Sequence, residues 1–152
     1  MKKIVLTFVV LCVLALAKGY SQSYKGGIGL RLGRPSGITG KTFLNKNAAL
    51  EGIFHYWKGG FGLTGLYEIH SQLGRDKNLQ FYYGAGAGFT VQDHYHNDYF
   101  SLGIDGVIGI EYKIKSAPIS LGLDIKPYLN VIPEIGISEN NVDAALSVRY
   151  TF

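Results

Sequence analysis

One cysteine, Cys12, stands in 152 residues, so no intramolecular disulfide staples this chain. Long apolar runs are equally scarce. The one uncharged stretch of any length, Ile4 to Ala17, falls short of the roughly 20 residues a helix needs to cross a bilayer. It follows Met1-Lys2-Lys3, and together they read as the positive and apolar regions of a secretory signal peptide. Only Thr7 and Cys12 interrupt its apolar surface, too few for the polar face of a packed helix. Small-x-small cleavage patterns occur at Ala15-Leu16-Ala17 and at Gly19-Tyr20-Ser21. Cleavage after Ser21 is expected, giving a signal peptide 1–21 and a mature domain 22–152, with Ala17 as the alternative. Cys12 lies inside the apolar region and not after it, which argues against a lipid anchor and leaves the mature chain without cysteine.

Surplus charge is lacking too. The formal net charge is +4, but Lys2, Lys3 and Lys18 leave with the signal peptide; fifteen basic residues less these three, against eleven acids, leaves +1. That balance gives no electrostatic case for nucleic acid as a partner. Residues 22–152 also contain no linker and no low-complexity tract, so one domain is expected.

What is present is alternation with period two, the mark of strands whose two faces meet different surroundings. Strand one sets Ile28, Leu30 and Leu32 against Gly27, Gly29, Arg31 and Gly33. Strand two runs from about Ile38 to Leu44, Asn45-Lys46-Asn47 turns the chain, and strand three covers Ala48 to Trp57. Strand four sets Phe61, Leu63, Tyr67 and Ile69 against Gly62, Thr64, Glu68 and His70. Strand five, from Leu79 to Thr90, alternates without a slip. Val91 to Asp98 reads as a hydrophilic loop before strand six, Phe100 to Lys113. Strand seven is Ile119 to Lys126, a long segment Leu129 to Asn141 reads as a loop, and strand eight is Val142 to Phe152. An even count of roughly ten-residue strands suits a small transmembrane barrel. The expected fold is therefore all-β, an eight-stranded antiparallel up-and-down transmembrane β-barrel following the signal peptide.

A soluble barrel would show the same alternation, so the decision turns on which face points inward. The non-apolar face is rich in glycine, which on a solvated strand loses entropy with no packing in return. In a narrow lumen it makes room for neighbouring long side chains. The same face carries both signs of charge: Arg31, Lys41, Lys126 and Arg149 with Glu51, Glu68, Asp105, Glu111, Asp124 and Asp143, and Lys113 at one end. These form the expected lumen charge network, structural in role, since eight strands enclose little more than side chains. The apolar face would be an oversized patch in water, while lipid solvates it and closure satisfies every ladder hydrogen bond. Aromatics near the strand ends, Tyr56, Trp57, Phe61, Phe89, Tyr99 and Phe100 at one end and Phe43, Tyr112, Tyr150 and Phe152 at the other, read as two interfacial belts.

With these features the mature chain resembles small bacterial outer-membrane barrels of the OmpA and OmpX type. The resemblance rests on the signal peptide, the eight strands and the C-terminal Val148-Arg149-Tyr150-Thr151-Phe152. It implies a Gram-negative outer-membrane location, a monomer, outer-membrane lipids as surroundings, and Tyr150 and Phe152 as the signal presented to the barrel assembly machinery. Gly33 to Thr39 and Asp124 to Tyr128 are also similar to segments of small barrel proteins and imply no activity.

Chemistry is thinly represented. His94-Tyr95-His96, among Asp93, Asn97 and Asp98, points both rings one way as a metal pair would, but no second ligand pair has matching spacing; a solvated loop and no metal are expected. Glu68, His70 and Ser71 suggest a serine esterase of the lipid-deacylating kind, yet they fall at the end of strand four on the side of the termini, away from an outer-leaflet substrate. No Gly-x-Ser-x-Gly elbow occurs. The expectation is a structural or surface-binding barrel without catalysis or cofactor; the alternatives are a lipid-modifying enzyme and a narrow, porin-like channel for small solutes.

Overall fold

The computed structural model describes residues 24–94, 97–132 and 142–152; the expected signal peptide, and Tyr95 and His96 of the candidate metal motif, fall outside them. Eight strands follow one another: β1 Gly26–Leu32, β2 Gly37–Phe43, β3 Ala48–Trp57, β4 Gly60–Gln72, β5 Leu79–His94, β6 Asn97–Lys113, β7 Ile119–Ile132 and β8 Val142–Thr151. Each pairs antiparallel with its neighbours in sequence, and β1 pairs with β8 from Gly27↔Thr151 to Leu32↔Leu146, closing the barrel. Closure leaves no free edge.

The ladder is staggered, as a closed sheet of tilted strands requires. From Gly27 at the start of β1 the paired residues are Lys41, Glu51, Leu66, Gly86, Asp105 and Tyr128. That line climbs from the end holding the termini toward the opposite, loop end. Because the stagger brings the turns at the terminal end level, the unequal strand lengths appear at the loop end. There β5 and β6, with 16 and 17 residues, stand far above β1 and β2, with 7 each.

Turns at the terminal end are tied by side chains. Asn45 Oδ1 accepts the backbone N–H of Asn47 (2.9 Å) and of Ala48 (2.8 Å), an Asx turn. Asp76 Oδ1 accepts the Asn78 N–H at 3.0 Å, and its other oxygen meets Lys115 at 3.1 Å, linking the β4–β5 and β6–β7 turns. The Asn78 backbone and amide, then Lys115, hold the Asp76 carboxyl down at about 2. At the loop end Gly59, at φ +96°, makes the tight β3–β4 turn, a conformation that a Cβ disfavours.

Two expected loops, Val91 to Asp98 and Leu129 to Asn141, prove to be strand in their described parts, residues 133–141 of the second lying outside the described residues. β5 continues to His94 and β6 begins at Asn97, with Gln92↔Tyr99, Asp93↔Asp98 and His94↔Asn97 paired. β7 likewise runs on to Ile132, past an irregularity at Leu102/Gly103. Ladder hydrogen bonds are indifferent to side-chain polarity, so the β5–β6 hairpin continues where its residues turn polar, and β7 continues past Val131, the extra residue of a bulge that breaks the alternation between Leu129 and Ile132.

Candidate functional site: the barrel lumen

The two faces differ sharply. Outward side chains are apolar and uncovered: Leu30 is 56% exposed, Ile104 55% and Leu123 54%, whereas Glu68 and Arg149 are 0% exposed. All ten residues of the charge set point inward and are buried: Arg31, Lys41, Glu51, Glu68, Asp105, Glu111, Asp124, Lys126, Asp143 and Arg149. Lys113 does not join them; its ammonium donates to the carbonyls of Ile114 (2.9 Å) and Ala117 (2.7 Å) at the β6–β7 turn. A small apolar cluster, Ile53, Leu66, Tyr82 and Val107, shares the interior.

Charges are arranged in tiers. Nearest the termini, Lys41 sits among Glu68 (2.7 Å), Glu111 (3.2 Å) and Glu51 (3.5 Å). Arg149 holds Glu51 through Nη2 and Glu111 through Nη1, the latter at 3.2 Å. Thr39 donates to Glu51 and Tyr24 to Glu111. The Lys41 ammonium also lies 4.2 Å from the centre of the Tyr82 ring, which stacks on His70 at 5.0 Å. Next comes Arg31, bonded to Asp124 at 2.5 Å and to Asp143, with the Tyr82 hydroxyl donating to Asp124 at 3.1 Å. Gly109 and Gly122 leave the space that Tyr82 and Arg149 fill: a Cβ on Gly109 would lie 2.7 Å from the Tyr82 ring, and one on Gly122 3.1 Å from Arg149 Nη1.

In the lowest tier two cations face three carboxylates. His70 resolves the difference. Its Nδ1 faces Gln80 Oε1 at 3.0 Å and its Nε2 faces Glu68 Oε2 at 2.9 Å. An amide oxygen only accepts, so Nδ1 carries a hydrogen, and the Glu68 contact then needs a second proton on one partner or the other. That proton cancels the surplus negative charge. Both ring nitrogens are thereby engaged, and neither reaches Ser71, so the esterase-like trio does not assemble as a nucleophile and its base.

Above Arg31 the packing gives way to a cavity of about 600 Å³, opening at the loop end and lined by residues including His55, Trp57, Thr64, Asp105, Lys126 and Tyr128. The lumen is therefore solid only in its terminal half, which corrects the expectation of a core packed throughout. In the lower tiers the inward side chains close on one another, while in the upper tier long side chains such as Trp57, Lys126 and Tyr128 are interspersed with Gly88 and Gly103 and leave the space between them open. Two aromatics expected in the outer belts belong inside instead. Trp57 follows His55 on the inner face of β3 and lines the cavity, and Phe43 packs edge-on against Tyr24 (5.1 Å) and His70 (4.8 Å). Both sit two residues beyond a lumen residue, so period two holds to the strand end and overrides the pull of an interface. Tyr56, Tyr150 and Phe152 do face outward. Alternation puts Tyr82 and Tyr128 on the inner face as well, but nothing in the sequence marks them as partners of Lys41 and Lys126.

Fold and lumen together define a closed eight-stranded antiparallel barrel that is apolar outside and ion-paired inside, the inverse of a water-soluble one. No family model and no curated protein matches the chain. Among solved structures it is similar to Neisserial surface protein A, at 16% identity and a TM-score of 0.46, over 84% of this chain and 94% of that one.

Proposed function

We propose that the chain is an integral outer-membrane β-barrel protein without catalytic activity, exported by a cleaved signal peptide of residues 1–21, and serving as a surface-exposed binding or structural element. One observation carries this reading: the exposed apolar wall around a buried charged interior. In water that wall would be an uncovered patch far larger than soluble monomers tolerate, whereas lipid is its proper solvent. On this reading the terminal end faces the periplasm, the loop end faces out, and Tyr150 and Phe152 are offered to the assembly machinery.

The tiers of ion pairs in the terminal half support a closed lumen over a channel, since a solute would have to displace buried charges from their partners. The test is fractionation. The mature protein is expected to remain with the outer membrane through carbonate and high-salt washes, and to migrate differently on a gel before and after boiling. Quantitative release by those washes would overturn the proposal, and unitary conductance steps in planar bilayers would overturn its closed lumen.

A further inference from the structure

The cavity in the outer half of the lumen is unused by anything described above, and its lining has unmet polar capacity. His55 is 5% exposed and its Nδ1 has no hydrogen-bond partner among the described residues; a ring nitrogen so placed donates or accepts according to tautomer. Lys126 meets Asp105 Oδ1 at 3.0 Å, which leaves further ammonium hydrogens and the second carboxylate oxygen. A Cβ on Gly88 would lie 2.8 Å from both Asp105 Oδ2 and Thr64 Oγ1. The glycine thus keeps open the patch of wall where those two oxygens meet. At about 600 Å³ the space falls within the roughly 300–1,000 Å³ of small-molecule sites.

The charged side chains lining the cavity balance, with Asp105 and Asp143 against Arg34 and Lys126. A small ion of either sign therefore gains little net attraction. Donors and acceptors are mixed, and Trp57 and Tyr128 add aromatic surface, Tyr128 already carrying the Lys126 ammonium 5.7 Å from its ring centre. A neutral molecule with hydroxyls around its edge and a C–H face matches this set. Its hydroxyls both donate and accept, and its face packs on an aromatic ring. We infer that the cavity binds one neutral sugar ring, either free in solution or displayed as the headgroup of a membrane lipid. The inference rests on the proposed membrane placement only for the side from which the sugar arrives.

Trp57 is the only tryptophan of the chain, so its emission reports on the cavity directly. The full mature protein, in an amine-oxide detergent that carries no sugar, is titrated with methyl glycosides of glucose, galactose and N-acetylglucosamine. At least one is expected to change Trp57 emission saturably below roughly 10 mM, a range that fills a site of millimolar affinity. Thr64→Val with Asp105→Asn is expected to weaken that binding by at least about tenfold, the worth of one charge-assisted hydrogen bond. Gly88→Val is expected to abolish it while heat-dependent gel migration shows the barrel intact. A parallel arm places the protein in phosphatidylcholine vesicles with the same sugar on a diacylglycerol; a response there alone assigns the headgroup, and a response to the free glycoside assigns the soluble sugar. No saturable response in either arm overturns the inference, as does equal binding by the variants or a preference for ethanolamine or acetate over every sugar. Failure of the protein to fractionate with the outer membrane would sink the placement and leave the binding result standing.

Discussion

Lys41 shows how much one buried residue decides. It meets Glu51, Glu68 and Glu111 at once, while Arg149 meets Glu51 and Glu111 and His70 meets Glu68. Lys41→Met should therefore take one of two permanent cations from a tier of three carboxylates and destabilise the barrel by roughly 3–5 kcal/mol, as loss of one partner of a buried pair does. Adding Glu68→Gln should return part of this, because the tier that lost a cation then carries one acid fewer; equilibrium unfolding of the two variants in lipid vesicles checks the order. Arg149→Gln should cost as much or more, since two carboxylates depend on it. At the surface Asp76 behaves oppositely. Its carboxyl is lowered from 3.8 to about 2, so the tie it makes is fully present above its ordinary value and is lost as pH falls toward about 2. An NMR titration of folded protein should place its midpoint there, and a midpoint near 3.8 would mean that the Asn78 and Lys115 contacts are absent. Legibility at this scale was partial. Period two puts each of these residues on its face, but the pairing of Lys41 with Glu68, or the proton shared by His70 and Glu68, depends on register and stagger that no local spacing encodes.

Single strands expose the two-faced wall to test. Leu121 and Leu146 project outward from β7 and β8 while their neighbours Gly122 and Ser147 face the lumen. Arginine at either leucine should cost roughly 2–4 kcal/mol in a bilayer if it lies near the midplane. Tolerance of Leu121→Arg would mean that this wall does not face lipid. β8 also carries the closing seam. Phe152 leaves its ring 70% exposed while its backbone N–H donates to Gly26 at 2.8 Å and its carbonyl accepts from Lys25 and Gly26 at 3.1 Å each. Deleting Phe152 thus removes seam hydrogen bonds together with the ring, and Phe152→Ala removes the ring alone. If the aromatic ring is read by the assembly machinery, Phe152→Ala should lower outer-membrane levels without lowering synthesis or refolding in detergent. The strands themselves were readable wherever one face was apolar and the other not. Val91 to His94 was not, because its residues turn polar, and Leu129 to Ile132 was not, because a bulge at Val131 puts Leu129 and Ile132 on the same face three residues apart.

Taken as one object, the barrel combines a sealed half and an open half in a single tube, and the division follows how the inward side chains meet across the lumen. Composition could not reveal this: the interior residues are legible as a set, but whether they fill the lumen depends on which of them the register brings to one level, as it does Lys41, Glu51, Glu68, Glu111 and Arg149. The height of the wall has its own consequence. β5 exceeds β1 by nine residues, 16 against 7, which at about 3.3 Å per residue and a tilt near 45° is roughly 20 Å of height. Seven tilted residues reach only about 16 Å, short of the roughly 25 Å apolar band of such barrels. Placed in a bilayer with its terminal end level, the molecule is a tube cut on the slant, with a tall back at β5 and β6 and a low sill at β1 and β2. The open half then looks sideways across the sill, just beneath the headgroups of the outer leaflet and against the upper part of its acyl chains. A ligand carried by a neighbouring lipid would enter by drifting in the plane of the membrane, with no need to leave it.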